Sequence, residues 1–332
     1  MDKVAALPDP QRRELFEETA AKRGVHPAII EKDFWVCWVL KKLFGCEHLT
    51  GQLVFKGGTS LSKVHRLIER FSEDIDLVLN WELLGYGQGG LDPWEPQSSN
   101  TRQDQFNQEF NQRAADYIRD TLCPLVNQLV NVCPDLHAVI SDRDAQTIDV
   151  HYPAAFNLAS LRPEVKLEIG PLASWVPSAA YTIRPYAAEE FESVFDDPDC
   201  PVVAINAERS FWEKATILHQ QAHRRSAMPD GYSRHYYDVH QLAASPIKEA
   251  ALADSQMLAD VVAFKDRFYR SAWARYDVAK PGTFRLLPTD DGNRQLQSDY
   301  RVMQAMIFHS PPSWQEITDS LRELEREINT FK

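Results

Sequence analysis

Residues 53–79 read LVFKGGTSLSKVHRLIERFSEDIDLVL, and this stretch decides how the chain folds. Leu53-Val54-Phe55 is a short apolar run with strand character that stops at Lys56 and two glycines. The segment from Ser60, SLSKVHRLIER, has helical periodicity, and residues 74–79 form a second strand. Successive side chains of a strand take opposite faces, so Asp74, Asp76 and Val78 share one face while Ile75, Leu77 and Leu79 share the other. Two carboxylates on one face repel unless a divalent cation lies between them. A lone Asp-x-Asp fits a solvated edge strand equally well, but the glycines alter that balance. A strand that ends in Lys56-Gly57-Gly58-Thr59-Ser60 and opens a helix gathers free N–H groups and a positive dipole end at one point. Glycine lets the backbone approach a phosphate closely, and the Thr59 and Ser60 hydroxyls add donors. Asp74 follows Ser60 by fourteen residues with only a helix between them.

Working outward, helices are expected at 9–24 and 28–45, the second with Pro27 near its start and apolar almost all round, hence buried. Residues 80–104 are rich in turn formers, including Gly85, Gly87, Gly89, Gly90, Pro93 and Pro96. A loop this long in a compact domain is usually functional or mobile. A long helix is expected at 105–131, followed by short strands at 136–141, 147–152, 164–169 and 181–185. From about residue 200 the strands are expected to end and helices to dominate, at 208–224, 233–245, 248–270, 296–308 and 312–331. Strands mixed with helices and then helices alone imply an α+β catalytic lobe, 1–195, and an α-helical lobe, 196–332.

In the strand at 164–169, Val165, Leu167 and Ile169 alternate with Glu164, Lys166 and Glu168. Two Mg²⁺ ions need a third acid, and Glu168, furthest from the proline-flanked start, is the candidate; a solvent-facing strand of mixed charge is the competing reading. The helix ERSFWEKATILHQQAHRR carries an apolar stripe at Phe211, Ala215, Leu218 and Ala222, flanked by Lys214. Such a lysine ordinarily snorkels. In SRHYYDVHQL, Arg234 and Asp238 stand at i,i+4 spacing and would merely pair on the bland reading. The histidines form no recognisable metal pattern or triad.

The 332 residues favour two lobes, and 44% hydrophobic with 25% charged residues is ordinary for a globular chain. The run from Phe34 to Leu40 is too short to cross a bilayer, and MDKVAALPDPQRREL lacks a signal-peptide layout, so a cytoplasmic protein without a membrane role is expected. Five cysteines without CxxC spacing imply buried free thiols. A net charge of −12 disfavours a broad nucleic-acid-coating surface. A local basic groove remains open, with Arg209, Lys214, His219, His223, Arg224 and Arg225 as its candidate.

Together the stretches IEKDFWVCWVLKKLF, VFKGGTSLSKV, FSEDIDLVL, FWEKATILH and SRHYYDVHQL resemble the AbiEii/AbiGii family of nucleotidyltransferase-like toxins, within the DNA polymerase β-type superfamily. The resemblance spans residues 30 to 242. It implies a polymerase β-type lobe with a mixed sheet and a toxin acting beside an antitoxin that transfers a nucleotide to a target, for some relatives one like the 3′ end of tRNA. It maps the phosphate-binding turn onto Gly57, Gly58, Thr59 and Ser60, and the metal acids onto Asp74 and Asp76. The family lysine falls at Lys214 and the acid of a later block at Asp238. That block usually carries Arg-Asp, where this chain has Arg234-His235. The implied chemistry is NTP-dependent transfer with Mg²⁺, or Mn²⁺ in its place, held by Asp74, Asp76 and Glu168. The implied partners are an NTP, an RNA (tRNA) acceptor and a cognate antitoxin. A non-catalytic nucleotide-binding protein and a small-molecule, antibiotic-type transferase are the alternatives.

Overall fold

A computed structural model describes the whole chain except positions 88–89, 160, 172–175 and 331–332. Gly89 of the turn-rich stretch therefore lies outside the described residues. The chain divides into two compact units: Met1–Val64 with Ser72–Ile205, and His65–Phe71 with Asn206–Lys332.

The first unit is built on a seven-stranded mixed sheet in the order β3-β4-β5-β2-β1-β7-β6. Its strands are β1 (Leu53–Lys56), β2 (Ile75–Leu79), β3 (His137–Ile140), β4 (Thr147–His151), β5 (Glu164–Gly170), β6 (Ser178–Ile183) and β7 (Cys200–Ile205). Its helices are α1 (Asp2–Ala5), α2 (Asp9–Arg23), α3 (Pro27–Phe44), α4 (Gly57–Lys63), α5 (Asn100–Tyr117), α6 (Cys123–Val130) and α7 (Tyr186–Glu190). β2 runs antiparallel to β1 and parallel to β5, and β1 runs parallel to β7. This is the expected α+β architecture with a mixed sheet. The expectation that strands end near residue 200 is wrong: CPVVAI forms β7, an interior strand between β1 and β6. Its apolar run is too short to be told from the start of the next helix by periodicity. Pro201 stands at its second position, where an early strand residue tolerates a missing donor.

Three further boundaries differ from the sequence reading, each for a local reason. The helix expected from Ser60 to Arg70 opens at Gly57 and stops at Lys63, and Arg66 takes the left-handed conformation at φ 54°. The helix expected at 105–131 begins at Asn100, where Ser99 Oγ accepts the Arg102 N–H at 3.3 Å, so the turn-rich loop is shorter. It is interrupted by a wide π turn at Ile118–Leu122 before Pro124, whose ring lacks the N–H an unbroken helix requires.

α3 is buried along most of its length, with Phe34, Trp35, Val39 and Leu40 fully enclosed. Yet it carries three consecutive charged residues inside that apolar face: Glu31, Lys32 and Asp33 are each at most 3% exposed. Buried charges persist only when paired or hydrogen-bonded, and each of these is. Glu31 accepts the N–H groups of Ala155 and Phe156. Lys32 pairs with Glu73 at 2.9 Å and donates to the carbonyls of Arg162 and Glu164. Asp33 pairs with Lys63 at 2.8 Å and accepts the Tyr186 N–H at 2.6 Å. Lys63 also stands 3.6 Å over the Tyr186 ring.

The second unit is helical, as expected: α8 (Ala207–Ala222), α9 (Ser233–Ala243), α10 (Ile247–Ala253), α11 (Ser255–Phe268), α12 (Asp290–Met303) and α13 (Trp314–Thr330). The single helix expected at 248–270 is two, because Asp254 ends one and caps the next by accepting the Met257 N–H at 3.0 Å. α12 starts earlier than expected, capped by Thr289. Residues 65–71 join this unit, where Phe71 N–H donates to the Met306 carbonyl and Phe308 N–H to the Glu69 carbonyl.

Asp33→Ala strands the Lys63 ammonium in the interior and is expected to cost about 3–5 kcal/mol in urea unfolding. The apolar double variant Asp33→Leu/Lys63→Met is expected to recover a large part of that loss. Equal losses in the two proteins would show that the ion pair is not what holds α4.

Candidate active site

In the first unit, the register of the sheet assembles the acids. Asp76 is the partner of Lys56 on one side and of Glu168 on the other. Register partners on adjacent strands turn their side chains to the same face, so Lys56, Asp76 and Glu168 form a row across β1, β2 and β5. Thr147 of β4 continues the row beside Glu168. Asp76 is half-buried and Glu168 is exposed, whereas Ile75, Leu77 and their neighbours on the opposite face are enclosed. Val78, two residues beyond Asp76 on its own face, packs with Val54 and Ile205. The acid-bearing face is thus polar only at the end of the strand where β1 turns into α4.

Asp74 lies one residue before β2, so it is a strand-flanking position rather than a strand residue. Its main chain is held from the glycine segment: the Thr59 hydroxyl donates to the Asp74 carbonyl at 2.5 Å. Ser60 Oγ is buried and has no hydrogen-bond partner among the described residues. Gly57 follows β1 directly, at φ +80°, and a Cβ there would lie 1.8 Å from Asp76 Oδ2. Only glycine fits that place, on grounds of both backbone conformation and space. The Gly57 main chain and the Asp76 carboxylate are therefore in immediate contact. Lys63, at the other end of α4, and Glu73, immediately before Asp74, are both pinned to α3 through Asp33 and Lys32.

Among the described residues, no group of three or more His, Cys, Asp and Glu is placed to hold a metal ion. Mg²⁺ rarely asks for such a cage. It keeps several waters and takes one or two carboxylates, with substrate phosphates completing the octahedron. A pair of hard oxygen donors on one strand end, beside a glycine backbone, fits that requirement.

The second unit contains its own charged cluster. Asp238 of α9 is fully buried and receives Arg70 in bidentate fashion, Nε to Oδ1 at 2.7 Å and Nη2 to Oδ2 at 2.9 Å. Lys214 of α8 also reaches Asp238 Oδ2, at 2.9 Å. Burial would raise the Asp238 pKa, but Arg70 and Lys214 outweigh it and hold the carboxyl well below the usual range. Arg234, at i,i+4 from Asp238, is exposed, so the pairing offered by helical spacing is displaced by two more deeply buried cations. Lys214 Nζ lies 3.3 Å from His235 Nδ1. Burial, with the Lys214 ammonium beside it, drives the His235 pKa well below the ordinary imidazole value. The ring is therefore neutral, and its Nδ1 lone pair faces the ammonium.

The sequence-named residues thus fall into two groups: Gly57, Gly58, Thr59, Ser60, Asp74, Asp76 and Glu168 in the first unit, and Lys214 and Asp238 in the second. Sequence reasoning missed Lys56 as the partner of Asp76, Arg70 as the partner of Asp238, and the Glu31-Lys32-Asp33 anchor. The one signal for that anchor was three charges interrupting an otherwise apolar helix.

A model of the family described as "Nucleotidyl transferase AbiEii toxin, Type IV TA system" matches residues 38–321. Among solved structures, the chain is similar to MenT4, a nucleotidyltransferase toxin from Mycobacterium tuberculosis. That likeness has 15% identity and a TM-score of 0.45, and it covers 96% of this chain and 99% of that one. No curated protein matches. Among the described residues no helix is long and apolar enough to cross a membrane.

Gly57→Ala is expected to cost about 1–3 kcal/mol in chemical denaturation, through overpacking and the unfavourable φ. Gly170→Ala, where an added methyl meets nothing within 4 Å, should stay within about 0.5 kcal/mol of the parent. Equal effects at the two glycines would contradict the close approach of Gly57 to Asp76. In the second unit, Arg70→Ala removes the bidentate partner of a buried acid and should cost about 3–5 kcal/mol. Lys214→Ala leaves that partner in place and should cost less than half as much. Since the folded Asp238 pKa lies below its unfolded value, this stabilisation is complete above about pH 4 and is lost as the pH falls through the folded value. Acid titration of the parent against Asp238→Asn reads that loss.

Proposed function

The chain belongs to the AbiEii nucleotidyltransferase toxin family, and from that premise we propose that it transfers a nucleotide from an NTP to an RNA acceptor, such as a tRNA 3′ end, with Mg²⁺ held by Asp74, Asp76 and Glu168. A toxin of this type IV family has an antitoxin as its partner and an NTP as its substrate. The observation that carries the reading is the row Lys56–Asp76–Glu168 with the Gly57 backbone against its central carboxylate.

The reaction is an attack by an acceptor hydroxyl oxygen on the α-phosphorus, forming the new O–P bond while the bond to the bridging oxygen breaks and pyrophosphate leaves. The metal, when bound, neutralises phosphate charge and favours deprotonation of the attacking hydroxyl; Mn²⁺ offers similar oxygen-ligand chemistry. The protein's part is positioning and electrostatics. In this reading Asp76, Asp74 just before β2, and Glu168, the register partner of Asp76 on β5, would provide the hard oxygen donors. The Gly57–Ser60 segment admits the triphosphate close to its main chain because no Cβ stands at Gly57. The Thr59 hydroxyl is already engaged with the Asp74 carbonyl, so its contribution is to fix Asp74 relative to that segment.

Within the second unit, Lys214 is the cation we assign to an anionic group. An ammonium has three protons, and two of them face Asp238 and the neutral His235. The third is left for an anionic oxygen. Asp238, saturated by Arg70 and Lys214, acts as a positioning residue. His235, where the family block usually has an acid, gives Lys214 a neutral neighbour in place of a second carboxylate.

Purified protein with labelled NTPs, Mg²⁺ and total cellular RNA is expected to label an RNA band, with Asp76→Ala abolishing the label. Lys214→Ala, which retains the Arg70–Asp238 pair, is expected to fold and to transfer about 10²–10³-fold more slowly, the usual cost of removing one preorganised charge from a transition state. Labelling that persists in Asp76→Ala would remove the carboxylate pair from the reaction. Transfer to aminoglycosides in place of RNA would reassign the acceptor.

A further inference from the structure

The basic residues expected to form one groove separate in the folded second unit. Arg209 is buried and paired with Glu213, Lys214 is committed to Asp238, and His219 is fully enclosed. His223, Arg224 and Arg225, just past the end of α8, instead line a cavity of about 680 Å³ whose wall also includes Trp273 and Arg275. That size lies within the range of about 300–1,000 Å³ typical of small-ligand sites, far more than a lone phosphate or metal ion needs. In a chain of net charge −12, three guanidinium groups gathered on one concavity are a local inversion of the overall field.

The cavity also has a π surface. Trp273 is 38% exposed, and the Arg224 guanidinium stands 4.4 Å from its ring centroid. An exposed indole beside guanidinium groups is the pairing that single-stranded nucleic acids use: bases stack on an aromatic face while phosphates meet the cations. The site is also braced from beneath. His219 Nδ1 accepts the Arg285 N–H at 3.0 Å, which leaves Nε2 as the donor to the Arg275 carbonyl at 3.1 Å. Burial depresses the His219 pKa to about 4, so the bracing ring is neutral. Arg275 itself sits in the left-handed region at φ 52°, a conformation that non-glycine residues adopt at a cost and that His219 helps to hold. Arg275 is paired with Asp277, at 2.9 and 3.0 Å, so the more available charges are those of Arg224 and Arg225. Arg225 is exposed, and Arg224 also donates to Gln221 and Ser226, which fixes its head at the rim.

We propose that this cavity binds a single-stranded stretch of RNA, with a base stacked on Trp273 and phosphates on Arg224 and Arg225. The inference rests on the transfer reaction set out above and gives the second unit an RNA-binding surface of its own.

The test is binding without chemistry. A fluorescein-labelled single-stranded RNA is titrated with the full-length protein and followed by anisotropy at several salt concentrations. Trp273→Ala is expected to weaken binding about five- to 100-fold, the worth of one stacked base, and Trp273→Phe to recover part of it. Arg224→Gln/Arg225→Gln is expected to weaken binding and to make its salt dependence shallower by roughly one unit of log–log slope for each phosphate no longer neutralised. Calorimetric NTP binding should be unchanged in all three, which excludes misfolding. RNA affinity and salt slope equal to the parent in both the tryptophan and the arginine variants would overturn the proposal. So would binding of a polyglutamate peptide with no binding of RNA, which would assign the cavity to an acidic protein. A parent that binds RNA in this cavity yet labels nothing with any NTP would defeat the transfer reading and leave this site standing. RNA labelling with unaltered binding in the variants would do the reverse.

Discussion

Three charges buried inside an apolar helix tie down the end of the sheet that carries Asp76 and the glycine turn. Lys32 reaches Glu73, the residue before the first aspartate, and Asp33 reaches Lys63, at the far end of the helix that opens on Gly57. The acids and the glycine segment are therefore indexed to one rigid rod, α3, rather than only to each other. Such pairs contribute little net stability, because desolvation offsets most of the attraction. Their value is geometric: an unpaired buried charge is costly enough that α4 and the approach to β2 have one acceptable placement. Glu31 extends the same logic to the main chain at Ala155 and Phe156.

The second cluster follows a similar design with different parts. Asp238 has two cationic partners, one of which, Arg70, is held by two parallel hydrogen bonds. That fork fixes the carboxylate, and the carboxylate then fixes Lys214. A flexible four-carbon side chain becomes a charge at a defined point because its anchor is itself anchored. The neutral His235 offers a lone pair without a competing negative charge.

Much of the first unit was legible because its signals are local. The Gly-Gly step marked the strand-to-helix junction and alternation assigned Asp76 its face, whereas Asp74 falls just before the strand; Glu168 was picked from its strand only by distance from the proline-flanked start. The register that makes Glu168 the neighbour of Asp76 is not local, and only the assembled sheet supplies it. The same holds for β7, whose short apolar run becomes a strand through pairing with β1 and β6. Arg70 is the sharpest case. Its own segment reads as the continuation of a helix, while its partner lies 168 residues away. Helical propensity over 64–70 loses to a buried carboxylate that needs two hydrogen bonds, a competition invisible in the segment itself.

The route taken by residues 65–71 has a consequence for modularity. The chain leaves the sheet-bearing unit after Val64, contributes seven residues to the helical unit, and returns at Ser72. The two units are thus interleaved in sequence, and no single cut yields both of them whole. A fragment ending at Ile205 would retain Asp74, Asp76 and Glu168 but carry Arg70 with no Asp238 to receive it. The complementary fragment would hold Asp238 and Lys214 without the guanidinium that fixes them. Recombination that swaps whole domains at a linker therefore has no clean exchange point here. The helical unit can diversify by point substitution around its cavities, but the chain joins it to the sheet-bearing unit at three crossings.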